Sequence, residues 1–245
     1  MTAAVRRLLW PSLMTAGMLI ILLGLGTWQV KRLLWKEALL AEIAHAEAAN
    51  PIPLAGTEAP SGTGPVALSP FAKVSVTGTF LPEETALYGA EVREIASGPA
   101  MGARMIEPLR AANGELILVD RGWVPLSRPV PLDQPSGEVT VSGYVRFGDT
   151  RGRFSAMDDP AARRFFTLDP GAIGRAIGQP NIRPFVLVAL AAGAGPGLVV
   201  QHWPDPARHL PRPPNNHLSY AITWYGLAVA LLAIFIVWAR KGSGA

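Results

Sequence analysis

PPNNHLSYAITWYGLAVALLAIFIVWARK, residues 213–241, decides how the rest of the chain is read. Residues 218–239 carry no charged side chain. At ~1.5 Å of rise per helical residue this run is ~33 Å long, enough to cross the hydrocarbon core of a bilayer. Arg240 and Lys241 close it at one end, and Asn215, Asn216 and His217 form a polar lip at the other. A histidine where a membrane helix meets water can hold a proton or a metal ion, so function is expected to concentrate here.

A second uncharged run covers residues 8–30, with Arg6 and Arg7 before it and Lys31 and Arg32 after it. The expected fold class is a membrane protein: two transmembrane helices, N- and C-terminal, flank a strand-rich α+β extracytoplasmic domain. All 18 acidic residues lie between the two runs. The net charge of +4 is carried by Arg6, Arg7, Arg240 and Lys241, so the intervening domain is formally neutral. Basic tips at both ends predict cytoplasmic termini and a domain on the far side of the membrane. Lys31, Arg32 and Lys36 argue the other way, but the rule applies poorly beside long translocated loops. A neutral domain excludes the basic face that a nucleic-acid module needs. The absence of cysteine excludes disulfides, thiolate metal sites and cysteine nucleophiles.

The organisation follows in order. Residues 8–30 form the first span, an uncleaved anchor followed by no small-x-small cleavage site. Gly17, Gly24 and Gly26 offer small surfaces for helix contact. Residues 31–49 continue as a helical stalk of strong helix formers, on which His45 is solvated. Residues 50–70, rich in Pro, Gly, Ser and Thr, are a linker. The strand-rich domain covers 71–203. FAKVSVTGTF and EVTVSGYVRF alternate with a period of two, the mark of half-buried strands. ELILVD, apolar throughout its middle, reads as a central strand. ETALYGAEV, PAMGARMIEPL and RRFFTLD add shorter strands, and DPGAIGRAIG a short helix opening at Asp169. RPFVLVAL and GLVVQHW are expected to pair as a hairpin. About eight short strands with turns between them predict an antiparallel sheet curling toward a barrel. Residues 204–216 form a proline-rich connector, semi-rigid and extended, and 217–239 the second span.

Most motifs have an ordinary structural reading. Asp158-Asp159-Pro160 reads as a turn rather than a carboxylate pair. Arg163-Arg164 reads as a solvated strand edge, and Arg121-Gly122-Trp123 as a turn with a core or groove tryptophan. His217 has more specific surroundings. Spacings of three and seven put Tyr220 and Trp224 on its helix face. An imidazole above an aromatic wall suits a flat iron porphyrin, for which histidine is the usual axial ligand. Propionates on such a ring would seek Lys31, Arg32 and Arg212, while Trp28 and Gln29 leave the other helix at a similar depth. The alternative is that Asn215 or Asn216 caps the helix and His217 hydrogen-bonds lipid headgroups.

Four segments together resemble the surfeit locus protein 1 family of cytochrome c oxidase assembly factors: GLGTWQVKRLLWK (24–36), VTGTFL (76–81), ILVDRGWVP (117–125) and NNHLSYAITWYGLA (215–228). Asp120 stands where the family pattern has Asn. The resemblance implies a non-enzymatic factor in a bacterial cytoplasmic membrane, with its main domain periplasmic. It implies haem a as bound cargo, His217 as the iron ligand, and insertion of the haem into oxidase subunit I. Subunit I, haem A synthase and the bilayer are the implied partners. Trp28, Gln29, Arg121, Gly122 and Trp123 match family motifs. The alternative within the same role is a scaffold that steadies a subunit I intermediate without binding haem.

Overall fold

The computed structural model describes residues 3–54, 68–127, 132–191 and 202–242. The chain divides into two compact units, Met1–Ala44 with Pro211–Ala245, and His45–Leu210.

The first unit is a pair of helices. α1 is one continuous helix, Ala3–Ala48, carrying the apolar run and the stalk without a break. α3 is His217–Gly242. Both are long and apolar enough to cross a membrane, and their flanks are exposed in the protein itself, as lipid-facing surfaces must be. Leu22 and Gly26 on α1 and Ala221 and Ala228 on α3 are buried along a seam, and Ile43 is buried farther along α1. Small residues at this seam let the backbones approach, which is how helices associate where no hydrophobic force drives them together. Of the three glycines expected at the seam, Gly26 is there. A Cβ on it would lie 2.8 Å from Cε1 of Tyr225. Gly17 and Gly24 face open space instead.

The second unit is built on a sheet of eight strands. They are β1 (Ile52–Pro53), β2 (Lys73–Phe80), β3 (Ala86–Ile95), β4 (Gly98–Ala111), β5 (Leu116–Pro125), β6 (Val139–Phe147), β7 (Arg164–Phe165) and β8 (Ile182–Ala189). The order is β1-β2-β6-β8-β5-β4-β3-β7, and an extra pairing of β2 with β4 closes β2, β6, β8, β5 and β4 into a five-stranded barrel. Closure removes the free edges of those five strands. All the barrel pairings are antiparallel but one: β8 runs parallel to β5. The expected barrel is therefore mixed, because a long crossover carrying a helix precedes β8 and delivers it pointing the same way as β5. Both edges of β8 are taken, by β5 and β6. No ladder is left there for the expected hairpin with 197–203, of which 197–201 lie outside the described residues. The linker contributes a two-residue strand, β1, parallel to β2.

Burial on both faces explains why the middle of β5 is apolar without alternation. Ile117 and Val119 enter a core with Val74, Val76, Leu109, Val145 and Phe185. Leu118 faces the other way, into a layer with Ile106, Val186, Phe165 and Ile173. That outer layer is covered by α2, Pro170–Ala176, whose N-cap Asp169 accepts a hydrogen bond from the Ala172 amide. Each fully buried Leu, Ile or Val contributes roughly 1.5–3 kcal/mol. The Asp158-Asp159-Pro160 segment is a turn, as its sequence suggests. Asp158 Oδ1 accepts from the amides of Phe166 and Thr167, and Asp159 Oδ1 from that of Ala162.

Candidate functional site

At one end of α3, Nδ1 of His217 lies 2.7 Å from Oε1 of Gln29 on α1. The imidazole is half-buried, and Trp28 meets it edge-on with ring centroids 6.5 Å apart. Where Nδ1 carries the proton, it donates to the carbonyl oxygen facing it. The lone pair of Nε2 is then free, which is the state a metal-ligating histidine requires. The Asn216 carbonyl closes the first turn of α3, accepting from the Tyr220 amide and from the Ser219 hydroxyl. Asn215 Oδ1 is buried and accepts no hydrogen bond. An orphaned buried acceptor beside a histidine with a free lone pair is an arrangement that a polar-edged guest could complete.

The seam below sets this geometry. Tyr225 packs on Gly26 and its hydroxyl lies 3.1 Å from Oγ1 of Thr27, whose own proton goes to the Leu23 carbonyl. Trp224 is half-buried. Tyr220, expected on the same wall, is 55% exposed. At roughly 100° per residue, it sits about a quarter-turn away from the line through Ala221, Trp224 and Ala228 that faces α1. Arg32 stacks on Trp35 at 4.0 Å rather than turning to His217. Arg212 is exposed on the segment leading into α3. The contacts at His217 are with Gln29 and with Trp28, itself 55% exposed; sequence alone marks the nearby Asn215 only as a possible cap. Among the described residues no three His, Asp or Glu side chains cluster to hold a metal ion.

A tautomer prediction follows. An unconstrained neutral imidazole carries its proton mainly on Nε2, whereas donation to Gln29 Oε1 would hold it on Nδ1. Gln29→Leu should return the proton to Nε2. ¹⁵N NMR of histidine-labelled protein reads this directly, with His217→Ala assigning the resonance. Identical spectra for wild type and Gln29→Leu would show that the contact does not set the tautomer.

The Arg121-Gly122-Trp123 motif lies in the other unit and is not a turn. β5 continues through it, with a bulge at Arg121 where the register against β4 slips between Met105 and Ile106. The bulge re-aims the side chain. Arg121 points to Glu107 on β4 at 2.6 Å, bonds the Asp133 carbonyl at 2.6 Å and lies over the Phe80 ring at 4.7 Å. Glu107 is 1% exposed, and its Oε1 has no partner. Gly122 has φ of +126°, and a Cβ there would meet the Asp205 carbonyl oxygen at 2.1 Å. Only glycine allows the two backbone hydrogen bonds between Trp123 and Asp205. Trp123 is a core residue, as expected, with Trp203 edge-on at 5.1 Å and its Nε1–H donating to the Glu91 carbonyl. Asp120 pairs with Arg104 and accepts from the Gly122 amide, the first of which an Asn could not do as an ion. Burial pushes its carboxyl above the usual carboxylate range, against the pull of Arg104. A hollow of about 660 Å³ opens beside Arg121, lined also by Lys73, Asp133, Arg208 and His209.

The SURF1 family profile matches residues 16–229, from the apolar part of α1 to the middle of α3, with both halves of the His217–Gln29 pair inside it. The chain belongs to the SURF1 family. Relatives include a SURF1-like protein of Monosiga brevicollis, 32% identical over 91% of this chain and 85% of its own length. Surfeit locus protein 1 of Homo sapiens is 31% identical over 84% of this chain and 70% of its own. A SURF1-like protein of Rickettsia felis is 28% identical over 90% and 93%. In this SURF1-family chain the four family segments fall on the helix pair, on β2 and on the bulged strand β5.

Proposed function

We propose that this protein assists assembly of haem–copper cytochrome c oxidase, carrying haem a on His217 and passing it to subunit I. The observation that carries the reading is the His217–Gln29 pair, which leaves Nε2 as a free donor at the end of an apolar helix seam. Trp28 and Trp224 supply flat apolar surface to a macrocycle, and the orphaned Asn215 oxygen suits a hydroxyl on its edge. Arg32 and Arg212 are the proposed partners of the propionates, with Tyr220 at the outer rim. When bound, the haem itself supplies an iron that takes the imidazole; the chain holds, orients and releases it. One protein ligand gives a hold loose enough for hand-over, since a carrier must bind its cargo less tightly than the acceptor does.

The proposed setting is a bacterial cytoplasmic membrane, crossed by α1 and α3, with both termini cytoplasmic and the barrel periplasmic. The basic tips Arg6, Arg7, Arg240 and Lys241 support that orientation. Haem A synthase, as donor, and subunit I, as acceptor, are the proposed partners. No catalytic step is assigned to the chain.

The test is purification of the full chain from cells that make haem a, followed by a visible spectrum and a search for co-purifying oxidase subunits. A Soret band from haem a is expected. Folded protein that brings subunit I without haem would replace this reading with the scaffold. Folded protein that brings neither would overturn both.

A further inference from the structure

The loop between β6 and β7 presents two of the most exposed large apolar side chains of the barrel unit. Phe154 is 96% exposed and Met157 78%. Arg151 and Arg153 precede Phe154, both exposed, and among the described residues neither has an acidic partner. The loop is held in place. At one end the Asp149 amide bonds the Leu168 carbonyl, and its carboxylate accepts from Arg146 and Tyr88. At the other, Asp158 binds the amides of Phe166 and Thr167. At the tip, Gly152 N–H donates to Ser155 Oγ and Ser155 N–H to the Gly152 carbonyl, so Arg153 and Phe154 are carried on a self-satisfied turn.

We propose that residues 151–157 form a membrane-surface contact for anionic lipid, separate from the two helices. Three features favour lipid. The loop's three acids, Asp149, Asp158 and Asp159, all serve in anchoring it and none lies within 151–157, leaving the tip with arginine as its one kind of charge, beside Phe154 and Met157. That combination is what seats a segment at a headgroup–acyl boundary. A turn that satisfies its own polar groups lowers the penalty of leaving water. The chain is already tethered by two helices long and apolar enough to span, so a bilayer is present at high effective concentration without any encounter step. The contact does not depend on haem.

The chain contains no cysteine, so a single one can be labelled without background. Ala156→Cys in the full chain, carrying an environment-sensitive fluorophore, is placed in nanodiscs of phosphatidylcholine with or without phosphatidylglycerol. Glu138→Cys, exposed elsewhere on the barrel unit, is the reference. The expected result is blue-shifted emission at position 156, quenched by lipid-borne nitroxide and shielded from aqueous iodide, more so with phosphatidylglycerol. Replacing Arg151 and Arg153 by alanine should lower the loop's partition on anionic discs by roughly thirtyfold, at about 1 kcal/mol for each arginine. Emission and iodide access matching the reference site in both lipids would overturn the proposal. So would protection that arises only on adding a partner protein such as the oxidase, which would make the loop a protein-docking surface.

Discussion

His217→Ala should strip haem from the purified protein while leaving the barrel folded. Losing an outer-shell partner of a metal ligand typically lowers affinity by roughly 10–100-fold, and losing the ligand itself should exceed that. The barrel is insulated from the change because His217 belongs to the helix pair, and His45–Leu210 forms a unit of its own. The measurement is haem stoichiometry from the visible spectrum, beside thermal unfolding followed by tryptophan fluorescence. Gln29→Leu should give an intermediate loss, since it keeps the ligand but releases its tautomer. Haem retained at wild-type stoichiometry in His217→Ala would move the ligand to His202 or His209. His209 is the better placed of those two, with Nδ1 beside the Leu210 carbonyl at 2.8 Å and the ring lining the hollow near Arg121.

Arg121→Leu should be the most damaging single change in the barrel. It leaves Glu107 almost fully buried with no cation and with Oε1 already lacking a partner. Removing one member of a buried pair costs about 3–5 kcal/mol. At about 2–4 °C per kcal/mol for a domain of this size, the melting temperature should fall by roughly 6–20 °C. The double variant Glu107→Leu, Arg121→Leu should recover most of the loss, because both charges leave together and the neighbouring core is apolar. A double variant as unstable as Arg121→Leu alone would show that the arginine acts through the Asp133 carbonyl and the Phe80 ring instead of through Glu107.

The helix pair is legible in the sequence because a long uncharged run has little use outside a bilayer, and the basic residues closing it give it ends. β2 and β6 are legible from alternation, and β5 from its lack of it, since a strand buried on both faces has no polar side to show. Arg121-Gly122-Trp123 reads as a turn and is not one. A charge and a glycine after an apolar run ordinarily mark the end of a strand, and a bulge that keeps the strand going leaves the same local signature. The partner that makes the arginine tolerable, Glu107, lies on the adjacent strand, where sequence order gives no register. The place of His217 at the polar end of an apolar run marks it, but its pairing with Gln29 spans 188 positions and shows only when the helices are packed. Tyr220 joins the wall by spacing alone. Spacing fixes a helix face to within about a quarter-turn, and that margin separates the seam from the exposed side.

β8 arrives last along the chain yet occupies the middle of the barrel. Until residues 182–189 have left the ribosome, β5 and β6 each hold an open ladder side, and the β2–β4 contact joins the ends of an incomplete ring. Closure is thus a late, long-range event, of the kind that folds slowly and exposes pairing-competent backbone meanwhile. In a nascent chain of this architecture the strand that completes the ring is the last of the eight to be made, and the sheet stays unfinished until then.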